Sequence, residues 1–270
     1  MARQMALTFD FDGESSVYYR RTEFENQAPA LDTGLREFGP LVGMDRILDM
    51  AKQVGIPITV YVPGRIVDKY PENCRRIVAA GHELGLHGYD HERWGELSAE
   101  EELDVMRRSI AAMEKITPGP FGFRSPAWAL NDRSLDILID LGVTYDSSLM
   151  QKDTTYLVQT PSGRTLPEVP VHWSLDDWPY YGFIPNAGRG SRPVAPSELM
   201  TLWYEEATGI LEYGGQPVLT CHPQISGRAG RVLALRGLVS RFQAEGVEFV
   251  PMKQLAAQAT GEPVRFPLRW

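Results

Sequence analysis

The sequence predicts an α/β fold in which seven or eight strand–helix units form one (β/α) barrel in a single domain. Short apolar, β-branched or aromatic runs alternate with amphipathic stretches along most of the 270 residues. Strands that alternate with helices favour a parallel sheet. The composition shows no break along the chain, and barrels of this length commonly form one domain. We therefore predict one domain over residues 1–270.

Eight runs are predicted as strands because they combine apolar residues with β-branched or aromatic ones. They are residues 5–11, 57–62, 83–87, 122–124, 143–146, 169–172, 217–222 and 247–250. Two long stretches without such patterns, residues 13–40 and 174–192, predict lids or binding loops rather than plain connections.

Seven amphipathic stretches lie between these runs and predict helices. They are residues 43–54, 71–80, 98–116, 132–141, 196–213, 232–245 and 252–258. Ser98 followed by Glu101 predicts a capping box at the start of the third helix. Gly55 and Gly81 stand where the first two helices should end.

Composition and charge exclude several classes of protein. The formal net charge is -8 and no basic run occurs, so a nucleic-acid partner is not expected. No apolar stretch reaches the length of a membrane span. Cys74 and Cys221 are isolated thiols and predict neither a disulfide framework nor a cysteine zinc site. The N-terminal apolar stretch is too short for a signal peptide, which predicts a cytoplasmic protein. A homo-oligomer is compatible with the sequence.

Polar residues stand at the ends of four predicted strands. Asp10 and Asp12 end the first, His87 the third, Arg124 the fourth and His222 the seventh. A parallel barrel builds its active site at the carboxyl ends of its strands. These side chains are therefore predicted to share one site.

The first two of these strand ends suggest a metal site. Asp10 and Asp12 are two positions apart and face the same side, so they need a nearby positive group, which a metal ion or Arg124 would provide. His87 and His91 are four apart, a spacing that would place both imidazoles on one face of a helical turn. Together with Asp12 they predict a catalytic site with three protein ligands, most typically for Zn²⁺. The same ligands suit Co²⁺, Mn²⁺ or Fe²⁺.

Amide hydrolysis would use the remaining polar residues. The reaction needs a polarised carbonyl, an activated water molecule and a proton for the leaving nitrogen. Asp10, kept ionised by Arg124, can take the proton of the water, and His222 can supply the proton to the nitrogen. A nearby carboxylate would raise the pKa of His222 and keep it charged.

Five motifs in the chain resemble those of the polysaccharide deacetylase (NodB-like, carbohydrate esterase 4) family. They read Thr-Phe-Asp-Phe-Asp, Gly-His-Glu-Leu-Gly-Leu-His-Gly-Tyr-Asp-His, Arg-Ser-Pro, Asp-Asp-Trp and Leu-Thr-Cys-His-Pro, in the family's order over residues 8–223. The resemblance implies a distorted (β/α) barrel and a divalent metal, usually zinc. It implies the following roles: metal ligands Asp12, His87 and His91, catalytic base Asp10, Arg124 holding that base, general acid His222, and Asp177 tuning the acid.

The chain departs from the family motifs at two points, and these differences bear on the expected substrate. The first motif continues Gly-Glu and the third continues Ala-Trp, which resembles a side branch with allantoinase-like and cyclic-imidase-like members. The expected substrate is therefore a small amide or imide, or a short N-acetyl sugar, rather than an assembled polymer. Either Asp176 or Asp177 could match the fourth motif.

Aromatic residues on the irregular stretches are candidate substrate contacts. Trp128, Trp178 and Tyr180 are predicted to line the pocket, although such clusters are more often core. Residues 173–185 are predicted to fold over the pocket as a lid.

The other acidic and histidine candidates receive plainer interpretations. Glu14 could approach the metal, but an exposed loop acid is the preferred interpretation. His82 is expected to support the neighbouring ligands or the structure rather than to act as a fourth ligand. His172 is expected either at the pocket wall or at a plain strand end.

Two alternative functions use the same residues. Two histidines and a carboxylate also form the site of ferrous oxygenases, but that interpretation leaves Asp10 and His222 without a role. A non-catalytic carbohydrate-binding barrel is the second alternative. It is disfavoured because the chain keeps every ligand and proton-transfer residue.

Overall fold

The computed structural model describes residues 3–15, 30–182 and 194–267. These residues form eight strands, numbered in chain order. They are β1 Gln4–Asp10, β2 Thr59–Val62, β3 Glu83–Leu86, β4 Tyr156–Gln159, β5 Thr165–Glu168, β6 Val218–Cys221, β7 Glu248–Phe249 and β8 Val264–Arg265.

The same residues form eleven α-helices, also numbered in chain order. They are α1 Ala30–Phe38, α2 Met44–Val54, α3 Gly64–Lys69, α4 Pro71–Ala79, α5 Ala99–Glu114, α6 Ser134–Asp140, α7 Trp178–Tyr181, α8 Pro196–Glu212, α9 Pro223–Ser226, α10 Ala229–Ala244 and α11 Met252–Ala256. A π-helical turn, Gly39–Gly43, joins α1 to α2.

Strand β1 lies at the centre of a parallel sheet with the order β3–β2–β1–β6, and β7 also pairs with β1. Thr8 of β1 is in register with Thr59 of β2 and with Thr220 of β6. The apolar residues of β1 are fully buried on both faces, as expected for a central strand of a parallel sheet.

Isolated parallel bridges extend this sheet into a barrel. They run from β3 through Phe123 and Asp146 to β5, and Asp176 bridges β6 on the other side. Several positions of the barrel are thus reduced to a single bridged residue. The predicted α/β fold with a distorted barrel is confirmed, and helices pack around it.

Local signals in the sequence set several helix ends. Ser98 and Glu101 form the predicted capping box at the start of α5, with both reciprocal hydrogen bonds present. Gly55 adopts a left-handed conformation at the end of α2, with φ 68°. That conformation is open to glycine because it lacks a Cβ atom.

Three predicted strands differ from the structure. Residues 122–124 and 143–146 contribute one bridged residue each. The strand predicted over residues 169–172 is wrong, because β5 ends at Glu168 and forms an antiparallel hairpin with β4. A Pro-Ser-Gly turn joins the two strands of this hairpin, and such a turn signal favours a hairpin at this point of the chain.

The two long irregular stretches contain regular structure. Helix α1 and the π-helical turn occupy the end of the first stretch, and α7 lies in the second. Residues 16–29 and 183–193 lie outside the described residues, as does the last part of the predicted lid. Cys74 and Cys221 are buried free thiols. Within the described chain, no helix is long and apolar enough to cross a membrane.

Candidate metal centre and active site

Asp12, His87 and His91 meet at the carboxyl end of the barrel. The Nε2 atom of His87 lies 3.4 Å from Asp12 Oδ1, and the Nε2 atom of His91 lies 3.6 Å from Asp12 Oδ2. One ligand atom of each residue lies within 4.8 Å of the others. Asp12 Oδ1 is buried and accepts no hydrogen bond from any residue that the structure describes.

The two histidines do not share a helical turn, so that prediction is wrong. His87 follows β3 directly, and His91 lies in a loop with φ 57°. Glu92 shapes this loop by accepting hydrogen bonds from the backbone N–H groups of Tyr89 (3.0 Å) and Asp90 (2.8 Å). The loop brings the two imidazole rings to a centroid distance of 5.2 Å. A turn, rather than a helix, therefore produces the ligand spacing.

The protonation states of the three side chains suit a divalent cation. His87 Nδ1 donates to the carbonyl oxygen of Arg124 at 2.7 Å, which leaves Nε2 facing Asp12. Burial lowers the pKa of His91 to about 4, although Asp12 opposes this shift, so the ring is neutral at physiological pH. Burial disfavours the ionised form of Asp12, but the neighbouring histidines outweigh it and lower its pKa. The orphaned carboxylate oxygen and two imidazole nitrogens fit a divalent metal.

Asp10 lies beside this triad and is bound by Arg124. Its Oδ1 atom accepts from Arg124 Nη1 at 2.8 Å, and its Oδ2 atom lies 4.0 Å from His87 Nε2. The guanidinium is fully buried and also donates to Thr8 Oγ1, Ser147 Oγ and the Ser147 carbonyl oxygen. These bonds fix the position of Asp10 and supply a counter-charge for it.

His222 lies on another side of the triad, with Nε2 3.7 Å from Asp12 Oδ2. Its Nδ1 atom donates to Asp177 Oδ1 at 2.7 Å, and its backbone N–H donates to Asp177 Oδ2 at 2.9 Å. Ser226 Oγ donates to the same carboxylate. Burial lowers the pKa of His222, but the charge and hydrogen bond of Asp177 raise it well above the ordinary value. Asp177 therefore favours the protonated form of His222.

Asp176 lies farther from His222 than Asp177 does. Its Oδ1 atom is 3.9 Å from His222 Nδ1 and accepts from the Trp178 backbone N–H at 2.6 Å. Burial raises the pKa of Asp176 to about 7, although the charge of His222 opposes the shift. Of the two adjacent acids, Asp177 is the one that contacts the imidazole.

Comparison with known proteins identifies relatives of this chain. Residues 37–145 match the family model for polysaccharide deacetylases. A crystal structure of a protein from Mycobacterium smegmatis assigned to the polysaccharide deacetylases is 33% identical, covers 100% of this chain and 96% of its own, and superposes with a TM-score of 0.90. The chain belongs to the polysaccharide deacetylase family.

Other relatives extend this comparison. The peptidoglycan deacetylase of Helicobacter pylori is 28% identical over 95% of this chain and 96% of its own. An allantoinase crystal structure shares the fold with a TM-score of 0.81, at 18% identity, over 95% of this chain and 90% of its own. Family membership makes this chain a hydrolase of carbon–nitrogen bonds other than peptide bonds, rather than a ferrous oxygenase.

The predicted aromatic contacts occupy different places in this hydrolase. The half-buried ring of Trp178 lies 5.3 Å from the ring of His222, at the site. Trp128 is buried and its ring lies 4.0 Å from that of Trp173. The hydroxyl of Tyr180 donates to the Ser174 carbonyl oxygen at 3.4 Å. Trp178 is thus the aromatic residue that directly adjoins the candidate acid.

Three further predictions are settled by local contacts. Glu14 is not exposed, since 1% of its surface is accessible and it binds Lys69, the last residue of α3, and Tyr70 after it. His82 is structural, because its Nδ1 atom accepts from the Ile58 backbone N–H before β3 begins. His172 does not end a strand, because β5 ends at Glu168; its side chain is exposed, and its Nδ1 atom accepts from the Ser174 backbone N–H.

Two buried carboxyl groups support the Arg124 region and are not predicted from the sequence. Asp146 and Glu168 adjoin across a parallel bridge, and both accept hydrogen bonds from the backbone N–H of Ser148. Glu168 also accepts from the Leu149 N–H at 2.9 Å. Burial and the charge of Asp146 raise the pKa of Glu168 well above its ordinary value. The raised pKa favours the protonated form of Glu168, and the pair fixes the backbone segment whose Ser147 carbonyl oxygen accepts from Arg124.

This carboxyl pair predicts a pH-dependent contribution to stability. The pKa of Glu168 is higher in the folded state than its unfolded value of 4.5. The contribution of Glu168 to the free energy of unfolding is therefore fully present below pH 4.5 and is lost as pH rises through the folded-state pKa. Glu168→Gln keeps the shape, and the amide can donate to Asp146 without ionising. We expect the free energy of unfolding of Glu168→Gln, minus that of wild type, to be larger at pH 8 than at pH 5. Denaturant titrations at both pH values measure this difference, and a pH-independent difference would contradict it.

Proposed function

We propose that this chain hydrolyses the N-acetyl group of a short N-acetyl amino sugar in a metal-dependent reaction. The observation that carries the proposal is the presence of a proton acceptor and a proton donor beside one metal-ligand set. Asp10 Oδ2 lies 4.0 Å from His87 Nε2, and His222 Nε2, whose pKa Asp177 raises, lies 3.7 Å from Asp12 Oδ2. Amide hydrolysis needs both groups within reach of the same bond.

The reaction assigns a role to each contact. A divalent cation held by Asp12, His87 and His91 would polarise the amide carbonyl and lower the pKa of water toward ~7. Asp10, fixed by Arg124, takes a proton as the oxygen of water bonds to the carbonyl carbon. His222, held by Asp177, gives its proton to the nitrogen as the carbon–nitrogen bond breaks. The products are acetate and a free amine.

Side chains beside His222 support the proposal of a short substrate. The guanidinium of Arg36 lies 5.6 Å from the centre of the Trp178 ring, and Arg36 is 7% exposed. These side chains come from α1 and α7 and lie beside His222, where they would contact a bound sugar. The Helicobacter pylori relative is named for deacetylation of peptidoglycan, which supports an N-acetyl group as the acyl part. A cytoplasmic location stays a prediction.

A small cyclic amide or imide is the second candidate. The sequence Asp-Phe-Asp-Gly-Glu favours this second candidate, because the sequence departs from the first motif of polymer-acting members. In the structure this motif draws Glu14 inward, where it binds Lys69 and Tyr70.

Product release from a panel of substrates tests the proposal. Acetate would be measured with N-acetylglucosamine oligomers of increasing length and with isolated peptidoglycan, and ring opening with allantoin and succinimide. We expect turnover of the short sugars that does not increase with length. Turnover that rises steadily with length would overturn the short-substrate proposal, and turnover of the imides alone would select the second candidate. Asp10→Asn serves as the inactive control.

A further inference from the structure

Three arginines gather near α9, the short helix that follows His222, without a carboxylate partner among the described residues. Arg46, Arg228 and Arg231 are half-buried, and no acidic side chain in the described part of the chain lies within ion-pair distance of them. They contact aromatic rings and backbone carbonyl oxygens instead. In a chain with a net charge of -8, acidic partners are abundant, so this arrangement is not a consequence of composition.

The three side chains surround α9, which begins directly after His222. Arg46 Nη1 donates to the Gly227 carbonyl oxygen at 3.3 Å, and Arg231 Nη1 donates to the Ile225 carbonyl oxygen at 3.2 Å. Helix α9 has four residues, so its length is about 6 Å. The carbonyl oxygens that Arg46 and Arg231 bind therefore lie within about 8 Å of His222 along the helix axis.

Phe38 places two of these cations together. The guanidinium carbon of Arg228 lies 3.6 Å from the centre of the Phe38 ring, and that of Arg46 lies 5.6 Å from it. Arg36 stands two residues earlier on α1 and faces Trp178 at the site. The positive groups thus continue from Trp178 outward along α1.

This cluster is electrostatically unfavourable without an anion. Burial lowers the pKa of Arg228, and the charges of Arg231 and Arg46 lower it further. Arg228 is also the N-cap of α10, whose first turn contains no acidic residue. The N-terminal end of a helix carries partial positive charge, which disfavours nearby cations and favours anions. Asp177, the acid whose charge reaches Arg231, is already bound to His222 and Ser226.

We propose that Arg46, Arg228 and Arg231 form a subsite for an anionic oxygen group, a carboxylate or a phosphate, carried by the N-acetyl sugar substrate. This inference rests on the proposed function and names the substrate class more closely. Guanidinium groups bind carboxylate and phosphate oxygens through paired N–H donors. Substrate binding would compensate the repulsion among the three cations and orient the sugar with its amide toward His222.

The test compares Arg228→Gln with a matched variant on the same helix. Arg236→Gln is the control, because Arg236 bonds to Gln53 at the protein surface and lies about two turns farther along α10. The probes are N-acetylglucosamine, its 6-phosphate and N-acetylmuramic acid, which carries a lactyl carboxylate. We expect Arg228→Gln to lower kcat/KM about tenfold for the anionic sugars, through KM, and to leave the neutral sugar unchanged. Arg228→Lys should restore part of the loss.

Binding separates this inference from the proposed function. Calorimetry would measure the affinity of each sugar for the metal-loaded wild type and the same variants. Weaker binding of the anionic sugars to Arg228→Gln alone supports the subsite, even if no acetate is released and the proposed function fails. Equal effects on charged and neutral sugars, or equal effects of Arg228→Gln and Arg236→Gln, would overturn it. Loss with only one of the two anions identifies which group the subsite takes.

Discussion

Removal of either triad imidazole, in His87→Ala or His91→Ala, is expected to cost the protein most of its bound divalent metal. Each change deletes one of the three proposed ligands and leaves only Asp12 and one imidazole to bind the metal. Elemental analysis of protein purified with excess metal and then dialysed measures the effect. Because the metal would polarise the amide carbonyl, turnover should fall with metal content.

A histidine outside the site provides the control for this measurement. His82→Ala removes an imidazole that contacts the backbone of Ile58 before β3 begins, so metal content should stay at the wild-type level. Burial opposes protonation of His87, but Asp10 and Asp12 raise its pKa above the ordinary value. Protons therefore compete with the metal, and wild-type affinity should fall as pH decreases. Wild-type metal content in both His87→Ala and His91→Ala would refute the ligand assignment.

Asp10→Asn and His222→Ala are expected to keep the metal and lose turnover. Each removes a proton-transfer group, which is typically worth about 10²–10⁴-fold in rate. Asn at position 10 still accepts the hydrogen bond from Arg124, so the fold of the site should persist. The measurement combines kcat with metal content for each variant.

Comparison with neighbouring variants sharpens this result. Thr8 donates to the Leu219 carbonyl oxygen and accepts from Arg124, so Thr8→Ser keeps these contacts and should retain near-normal turnover. If Asp10→Asn or His222→Ala kept comparable turnover, the acid–base assignment would be refuted. Loss of metal in either variant would move that residue into the ligand set.

The sequence alone predicts those parts of the site that depend on strand ends. The carboxyl ends of parallel strands meet at one end of a barrel, so Asp10, Asp12, His87 and His222 can be grouped from their positions along the chain. The arrangement of His87 relative to His91 cannot be predicted from the sequence. It depends on a loop with a positive φ at His91, whereas spacing alone predicts a helical turn.

Contacts between segments that are distant in the chain could not be predicted from the sequence. The contact of Glu14 with Lys69 requires α3, a short helix that the apolar pattern does not predict. Asp146 and Glu168 meet through a single bridge rather than through two recognisable strands. The arginine subsite also combines separate helices, and a search for basic runs cannot reveal such a cluster.

Arg124 connects two parts of the site through different atoms. Its side chain binds Asp10, and its backbone carbonyl oxygen binds the Nδ1 atom of His87. A thermal displacement of this residue therefore shifts the proposed base and one proposed metal ligand in the same direction. Their separation should fluctuate less than the position of either residue within the barrel. In solution, correlated motion of these two side chains would preserve the alignment of the reacting groups while the surrounding loops move.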